Sequence, residues 1–388
     1  MAGPKEEFPL VVERLVETAT GIARDVLAPM AEQVDRNRIW PRHSFDALAS
    51  AGLMGLHVPE SLGGSGQGLL ALAAMTEVLA QGCSSSAICY GMHCVGTAVI
   101  AAKPNDHQRE TYLREIAAGR HITTLSVSEP GTGVHFYLPR TALTEQDDSF
   151  IVRGTKHFVT NGSHADSYVV STRAASAREG EFSCVIIDAS LPGIEWKGEW
   201  DGMGMRGNSS ILMDLKDVRI PTSNLLGEQG DQIWYVFEVV APYFLVAMAG
   251  TYLGITTAAV NYTLQHLRSR AHEHSGESLA EVDTLQHRVG KLWSRLESAR
   301  QLLYHAARLG DAGHPDALPA ILSCKAEISD AGVEIVNEAM TICGGIAYRE
   351  NGPLARLLRD VRASHVMAPT TDVLRLWTGR ALLGQPIL

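Results

Sequence analysis

The longest uncharged stretch of the chain, residues 239–267, limits what this sequence can fold into. It contains no Asp, Glu, Lys or Arg, and its length meets the requirement for a membrane-spanning helix. It also contains Pro242, Asn261, Gln265 and His266, together with many Ala, Gly and Thr residues. A helix that is apolar all round is equally what the centre of a helical bundle requires. We therefore expect a helix buried inside the protein, and no membrane partner.

The hydrophobic pattern divides the chain into three regions. In residues 1–120 apolar side chains recur every three or four positions, which predicts a helical domain. In residues 121–228 the pattern alternates, which predicts a small β-barrel or β-sandwich. Its strand-like runs are 149–153, 168–172 and 182–187, and its turn residues are Asn161-Gly162, Glu179-Gly180 and Pro192-Gly193. In residues 229–388 helical periodicity returns in long runs, 285–310 and 318–343, whose length suits an antiparallel four-helix bundle.

Charge and cysteine content restrict the partners and the compartment. The net charge of −10 and the pI near 5.8 argue against a nucleic-acid partner, because no excess of basic residues is available to neutralise phosphates. The six cysteines form no C-x-x-C pair, which indicates buried, reduced thiols and no metal site. The opening residues lack the basic flank and apolar run of a signal peptide. We expect a cytoplasmic protein.

Five segments carry a family resemblance. In chain order they are 59–66, 126–133, 154–162, 202–209 and a C-terminal stretch from 344 to 372, which includes Gly344-Gly345, Arg359-Asp360-Val361-Arg362 and Ala368-Pro369-Thr370. Each alone is a glycine-rich turn or a short loop. Together, in this order, they resemble the signatures of acyl-CoA dehydrogenases. The resemblance implies an α+β fold with an N-terminal helical domain, a middle β-barrel or sandwich domain and a C-terminal four-helix bundle.

The resemblance implies FAD as cofactor and assigns residues to it. The hydroxyls of Ser128 and Thr160 match positions that meet the flavin ring, and Phe158 matches the aromatic residue that covers it. Arg270 matches an arginine on the pyrophosphate, and a guanidinium suits phosphate oxygens. Gly344 and Gly345 match a pair that approaches the AMP half of the cofactor across a dimer interface. The other expected cofactor positions are Ser126, Val127, Gly133, Val134, Thr341, Thr370 and Asp372.

Three cofactor positions depart from the family pattern. The family's Gly-Ser-Asp is here Gly133-Val134-His135, so a hydroxyl that serves the pyrophosphate is lost. The glutamine expected before the diglycine is Thr341. The resemblance still favours FAD.

The position of the family's catalytic glutamate is occupied by Ala368. A second site used by some relatives falls on 242–245, which contains no acid. Three accounts stay open: an unrecognised base such as Glu238, a different reaction on the same flavin, or a protein that binds without catalysing. Glu238 is equally explained as a first-turn helix acid. The other candidate bases are His135, His93 and Tyr243.

The substrate implied by the resemblance is an acyl thioester, on CoA or on a carrier protein, or a related acid. Proton abstraction by a positioned base contributes about two to four orders of magnitude in rate. Oxidative decarboxylation needs no such base, since the substrate's own carboxylate generates the carbanion, and Arg206 or Arg140 would then hold that carboxylate. A flavin-dependent decarboxylase or monooxygenase of a natural-product pathway is therefore the alternative function. The resemblance also implies a homodimer or homotetramer.

Overall fold

The computed structural model describes residues 8–175 and 181–387. Its N-terminal part is helical, and Asn105 and Gln108 form a capping box at the start of the sixth helix. The helices are α1 (Leu10–Ile22), α2 (Ala28–Asn37), α3 (Arg42–Ser50), α4 (Leu69–Gly82), α5 (Ser84–Ala102), α6 (Asp106–Gln108) and α7 (Arg114–Ala117). π-Helical segments, Ala23–Leu27 and Arg109–Leu113, join α1 to α2 and α6 to α7.

The middle part consists of two four-stranded sheets. The strands are β1 (Thr123–Ser126), β2 (Ala142–Gln146), β3 (Ser149–Val159), β4 (Ser167–Arg173), β5 (Phe182–Asp188), β6 (Ile194–Lys197), β7 (Ile211–Pro221) and β8 (Leu225–Leu226). One sheet has the order β1-β4-β5-β8, with β1 parallel to β4, and the other has the antiparallel order β2-β3-β7-β6. The expected turns at 161–162 and 192–193 lie between strands, and the one at 179–180 lies outside the described residues.

The C-terminal part is helical again. Its helices are α8 (Gln232–Trp234), α9 (Ala241–Arg268), α10 (Asp283–Asp311), α11 (Ala317–Cys343), α12 (Pro353–Val361), α13 (Ala363–Val366) and α14 (Thr371–Leu382), and a π-helical segment, Tyr235–Val240, joins α8 to α9. α11 packs against α9, α10 and α14. The two long helical runs of the sequence thus correspond to α10 and α11. The α+β class, with helical, β and helical parts in this order, is confirmed.

The uncharged segment forms α9, which is buried among other helices of the chain. Two glycines let α4 approach it closely, because a Cβ at Gly250 would collide with the Thr76 hydroxyl and one at Gly254 with the Glu77 carbonyl. By length and composition, α5 and the continuous helix Gln232–Arg268 could each cross a membrane, yet most of each is covered by the protein. All six cysteines are unpaired and buried.

Candidate functional site

The first candidate surface, which we call the ring surface, lies where β1 and β3 end side by side. The N–H of His157 donates to the carbonyl of Ser128 (2.8 Å), and the hydroxyl of Thr124 donates to the carbonyl of Thr160 (3.0 Å). Ser126, only 2% exposed, has a buried hydroxyl with no hydrogen-bond partner among the described residues. An unsatisfied buried polar group costs about 1–3 kcal/mol. This hydroxyl therefore marks a place that a ligand can complete.

An exposed aromatic side chain lies on the same surface. Phe158 is 56% exposed and has a backbone φ of +54°, a region that non-glycine residues rarely adopt. Its ring stacks on His157 (centroids 3.9 Å apart) and meets the edge of Trp200 (6.3 Å). The hydroxyl of Thr160 lies 2.9 Å from that of Ser210. A flat heterocycle with a polar edge fits these groups.

A buried ion pair fixes the loop that carries the ring surface. The Nζ of Lys156 donates to Glu129 Oε1 (2.6 Å), and the carbonyl of Val127 lies 3.5 Å from the same Nζ. Glu129 also accepts hydrogen bonds from the N–H of Arg140 and from the N–H and hydroxyl of Thr141. Burial alone would raise the pKa of Glu129, but the Lys156 charge and these hydrogen bonds hold that pKa below its ordinary value. The loop is therefore anchored by a charged carboxylate.

The segment after this anchor is more open. Gly133 has a φ of +54°, and Val134 is 38% exposed. His135 is exposed, with its Nδ1 3.0 Å from the Tyr137 hydroxyl. The Tyr137 ring lies 6.3 Å from that of Phe237, which precedes α9. This contact joins the loop of the ring surface to the start of the long helix.

The expected pyrophosphate and AMP contacts lie at the C-terminal ends of α9 and α11. Arg270 is exposed and lies in the turn beyond α9, outside the helix itself. Gly344, with a φ of +67°, ends α11, and it and Gly345 are exposed. Cys343 Sγ lies 3.8 Å from the Thr263 hydroxyl, which ties the two helix ends together.

The remaining cofactor positions are on helix ends as well. Thr341 is exposed, and its hydroxyl donates to the carbonyl of Asn337 (3.2 Å). Thr370 is the N-cap residue of α14, and Asp372 is exposed in the first turn of that helix. An acid in a first turn is favoured by the helix dipole. These side chains are compatible with a cofactor role but do not require one.

A lysine of α11 donates hydrogen bonds to three carbonyls around the segment that contains Ala368. The Nζ of Lys325 donates to the carbonyls of Ser364 (2.7 Å), Met367 (3.1 Å) and Pro369 (3.0 Å). Lys325 is fully buried, and burial lowers its pKa to about 7. The segment is thus fixed in place, although Ala368 offers no group that exchanges a proton.

A cleft of about 1050 Å³ opens between the 66–69 turn, the start of α9 and the turn that joins α10 to α11. Glu238 and Tyr243, two of the candidate bases from the sequence, both line it, as does Phe237. Glu238 is exposed, and within the described chain its carboxylate has no hydrogen bond or ion pair. Burial raises the pKa of Tyr243. Through Phe237 the cleft adjoins the loop of the ring surface.

Two further polar groups line the cleft, the buried His57 and the exposed Asp311. His57 is 7% exposed, with Nδ1 2.8 Å from the carbonyl of Gln67 and Nε2 without a partner among the described residues. Burial lowers the pKa of His57 to about 4, so the ring is neutral at pH 7. Asp311 accepts the N–H groups of Leu69 (2.5 Å) and Leu70 (2.9 Å) at the start of α4. Burial raises the pKa of Asp311.

The other candidates from the sequence have structural surroundings. His93 is fully buried, with Nε2 3.0 Å from the Met54 carbonyl and Nδ1 accepting the N–H of Thr123, so it belongs to the core. The Nε of Arg206 lies 3.9 Å from Asp35. Arg140 is exposed beside the ring-surface loop. The two arginines remain hypotheses for holding a carboxylate.

Sequence reasoning missed His57, Lys325 and the pairing of Glu129 with Lys156. Glu129 and Lys156 lie inside two of the recognised segments, but nothing in the sequence joins them across the intervening residues. The available signal for Lys325 was a lysine in the otherwise uncharged run 317–326 at the start of α11. His57 precedes the 59–66 turn and carried no signal of its own.

Comparison with known proteins gives consistent matches over nearly the whole chain. Family models described as the acyl-CoA dehydrogenase N-terminal, middle and C-terminal domains match residues 12–120, 124–218 and 243–383. Mitochondrial isovaleryl-CoA dehydrogenase of Pongo abelii is 27% identical over 379 residues, which cover 95% of this chain and 88% of that protein.

Two solved structures show the same fold. Butyryl-CoA dehydrogenase from Megasphaera elsdenii superposes with a TM-score of 0.91 at 26% identity, covering 98% of this chain and 100% of that one. A structure of PigA with FAD and proline superposes with a TM-score of 0.88 at 22% identity, covering 98% and 99%.

Proposed function

Because the chain belongs to the acyl-CoA dehydrogenase family of FAD-dependent oxidoreductases, we propose that it oxidises an acyl group carried as a thioester. The observation that carries this proposal is the ring surface. There Ser126, at the end of β1, has a buried hydroxyl without a hydrogen-bond partner among the described residues, and Phe158, near the end of β3, has an exposed ring. An unsatisfied buried hydroxyl is costly, and both groups suit a flavin ring.

The residues that would hold FAD fall into two groups. The flavin ring would contact Ser126, Val127 and Ser128 at the end of β1, and Phe158 and Thr160 at the end of β3. The Lys156–Glu129 pair joins these two segments. Gly133, Val134, Arg270, Thr341, Gly344, Gly345, Thr370 and Asp372 would contact the remainder of the cofactor. When bound, FAD supplies the acceptor for a hydride. The protein contributes the orientation of both reactants and the exclusion of water.

The chain's own residues do not supply a base in the usual place. Ala368 has no ionisable group, and the segment 242–245 contains no acid. Glu238 lines the cleft and is exposed to solvent. We propose that Glu238 binds substrate and that the reaction proceeds without a carboxylate at position 368.

A second candidate function follows from the lack of an ionisable group at position 368. An oxidative decarboxylase or a monooxygenase on this fold would not need a residue to remove an α proton. Arg140, exposed beside the ring-surface loop, is available to hold a substrate carboxylate in that case. The neighbour that was solved with FAD and proline supports a substrate other than a simple fatty acyl group.

Anaerobic mixing of the purified holoprotein with a panel of thioesters tests the proposal. The panel should present each acyl group on CoA, on pantetheine and on a carrier protein. Bleaching of the flavin absorbance by any of them supports oxidation of the acyl group, and the carrier that bleaches fastest identifies the physiological form. Product formed only in the presence of oxygen, without anaerobic bleaching, would support the second candidate. No reaction in either assay would refute both.

The assembly is also a proposal. Large apolar side chains are exposed on the C-terminal part, with Tyr348 87%, Val366 66% and Leu376 53% exposed. Exposed large apolar side chains of this kind are found at subunit interfaces, which supports a homodimer or homotetramer. Light scattering of the holoprotein measures the state, and a monomer would refute it. A cytoplasmic location remains an expectation that fractionation would test.

A further inference from the structure

Asn161 follows Thr160 of the ring surface directly, and its backbone holds the turn between β3 and β4. Its N–H donates to the carbonyl of Asn208 (3.0 Å), and its own carbonyl accepts the N–H groups of His164 and Ala165 (3.0 Å each). Its φ is +63°, a left-handed conformation that asparagine tolerates better than most residues. The backbone beside Thr160 is therefore fixed at both its donor and its acceptor.

The side chain of Asn161 connects this turn to the N-terminal helical part. It is fully buried. Its Nδ2 donates to the carbonyl of Cys89 in α5 (2.9 Å), and its Oδ1 accepts the indole N–H of Trp40, which lies between α2 and α3 (2.9 Å). A carbonyl can only accept and an indole N–H can only donate. Exchanging the amide nitrogen and oxygen would break both bonds, so the amide has a single orientation.

Trp40 is held by its ring faces as well as by its N–H. The indole lies between Phe45 of α3, with centroids 4.9 Å apart and planes at 16°, and His164, at 4.6 Å and 5°. Trp40 is 7% exposed. Phe45 belongs to the N-terminal part, whereas His164 belongs to the same turn as Asn161. The indole therefore joins the two parts of the chain by stacking and by a hydrogen bond at once.

A short path leads from this contact to the ring surface. The hydroxyl of Thr160 lies 2.9 Å from that of Ser210, and the N–H of Ser210 donates to Oδ1 of Asn208 (3.0 Å). The carbonyl of Asn208 accepts the N–H of Asn161. Phe158 lies two residues before Thr160. A displacement of Asn161 would therefore displace both Thr160 and Phe158.

We propose that Trp40 and Asn161 are positioning residues for the flavin: through them the N-terminal helical part holds the ring surface in the arrangement that binds the ring. Both side chains are enclosed by protein, so they act through the backbone of the turn. A turn that is ordered before the ligand arrives lowers the entropy cost of binding. The coupling is reciprocal, so bound FAD stabilises the contact at Trp40 in turn. The inference rests on the proposed function, because it takes the ring surface as the place of the flavin ring.

Trp40→Phe tests the hydrogen bond, because it keeps an aromatic ring between Phe45 and His164 and leaves Oδ1 of Asn161 without its donor. The rate constant for FAD release from the holoprotein, followed by flavin fluorescence after dilution, should rise at least about tenfold, the equivalent of one lost buried hydrogen bond. Affinity differences between variants are expressed mainly in dissociation rates. The visible absorption maxima of the bound flavin should shift as well, because they depend on the surroundings of the ring.

Tyr112→Phe is the matched control. Tyr112 is buried in the N-terminal part, and its hydroxyl donates to Asp188 at the end of β5 (3.0 Å) and accepts the amide N–H of Asn224 (2.9 Å). This contact also joins the N-terminal part to the middle part, at β5 and not at the ring surface. The control should lower the midpoint of urea unfolding and release FAD at the wild-type rate.

A second measurement uses the wild type alone, so it tests the coupling even where Trp40→Phe does not fold. Deuterium uptake by residues 38–45 should be slower with FAD bound than after its removal. FAD release at the wild-type rate in Trp40→Phe, equal acceleration in Trp40→Phe and Tyr112→Phe, or uptake at 38–45 that FAD leaves unchanged would overturn the inference. The thioester bleaching assay reports separately on the proposed function. A wild type that holds FAD more firmly than Trp40→Phe, but is bleached by no thioester, keeps this inference and loses that function.

Discussion

The Glu129–Lys156 pair allows one stability prediction to be worked through in detail. Glu129→Gln keeps the size of the side chain and removes its charge. The Lys156 ammonium, 0% exposed, then loses its counter-charge and keeps the carbonyl and hydroxyl of Ser171, at 2.6 and 3.1 Å. The two carboxylate oxygens of Glu129 now accept hydrogen bonds from the N–H of Arg140 and the hydroxyl of Thr141. In the variant one of these oxygens becomes an NH2 group, which places a donor against a donor. Removing one partner of a buried pair costs about 3–5 kcal/mol.

A matched control is available on the surface. Glu195 and Lys216 form an ion pair at 2.6 Å with side chains 48% and 57% exposed, and exposed pairs contribute about 0–1 kcal/mol. Urea unfolding followed by fluorescence should therefore separate Glu129→Gln from Glu195→Gln by at least about 2 kcal/mol. Adding Lys156→Met to Glu129→Gln removes the uncompensated charge, and the double variant should recover part of the loss.

The pH dependence gives a second readout of the same pair. The pKa of Glu129 in the folded protein is lowered from 4.5. Its stabilisation is therefore fully present above the unfolded pKa and is lost as the pH falls through the folded pKa. Wild-type stability should fall more steeply below about pH 4.5 than that of Glu129→Gln. Equal costs for the buried and surface variants, with parallel acid profiles, would refute the assignment of a charged buried pair.

Four further outcomes are expected. Arg270→Ala should lower the flavin absorbance per protein, because a pyrophosphate charge loses its guanidinium partner; unchanged occupancy would remove Arg270 from the site. Ala368→Glu should raise the rate of α,β-dehydrogenation of simple acyl thioesters in the anaerobic bleaching assay, by up to about two to four orders of magnitude. No gain in a folded, FAD-loaded variant would contradict a vacant base site. Glu238→Gln should raise KM about tenfold with kcat nearly unchanged if it binds substrate, whereas a kcat loss of about two orders of magnitude or more would make it a base. The pKa of Lys325 falls from 10.5 to about 7 on folding, so between these pH values the unfolded chain binds more protons than the folded one. The free energy of unfolding of the wild type should therefore rise from about pH 7 to 9, and Lys325→Met should flatten that rise.

The fold could be predicted from the sequence, because the five segments that resemble the family occur in the family's order along the chain. The alternating runs at 168–172 and 182–187 became β4 and β5, each longer by no more than a residue at either end, and the uncharged run became the buried α9. Periodicity and turn chemistry are local properties and can be read from neighbours. The individual cofactor contacts remain predictions, since they follow from resemblance.

The cleft could not be predicted in the same way. His57 and Glu238 both line it because α4, α9 and α10 pack together, and no pattern along the chain relates these positions. The partner of a buried charge is likewise a tertiary property, as Lys156 and Glu129 show. Residue type alone predicted that Glu238 was worth testing, but its exposure to solvent became visible only in the structure.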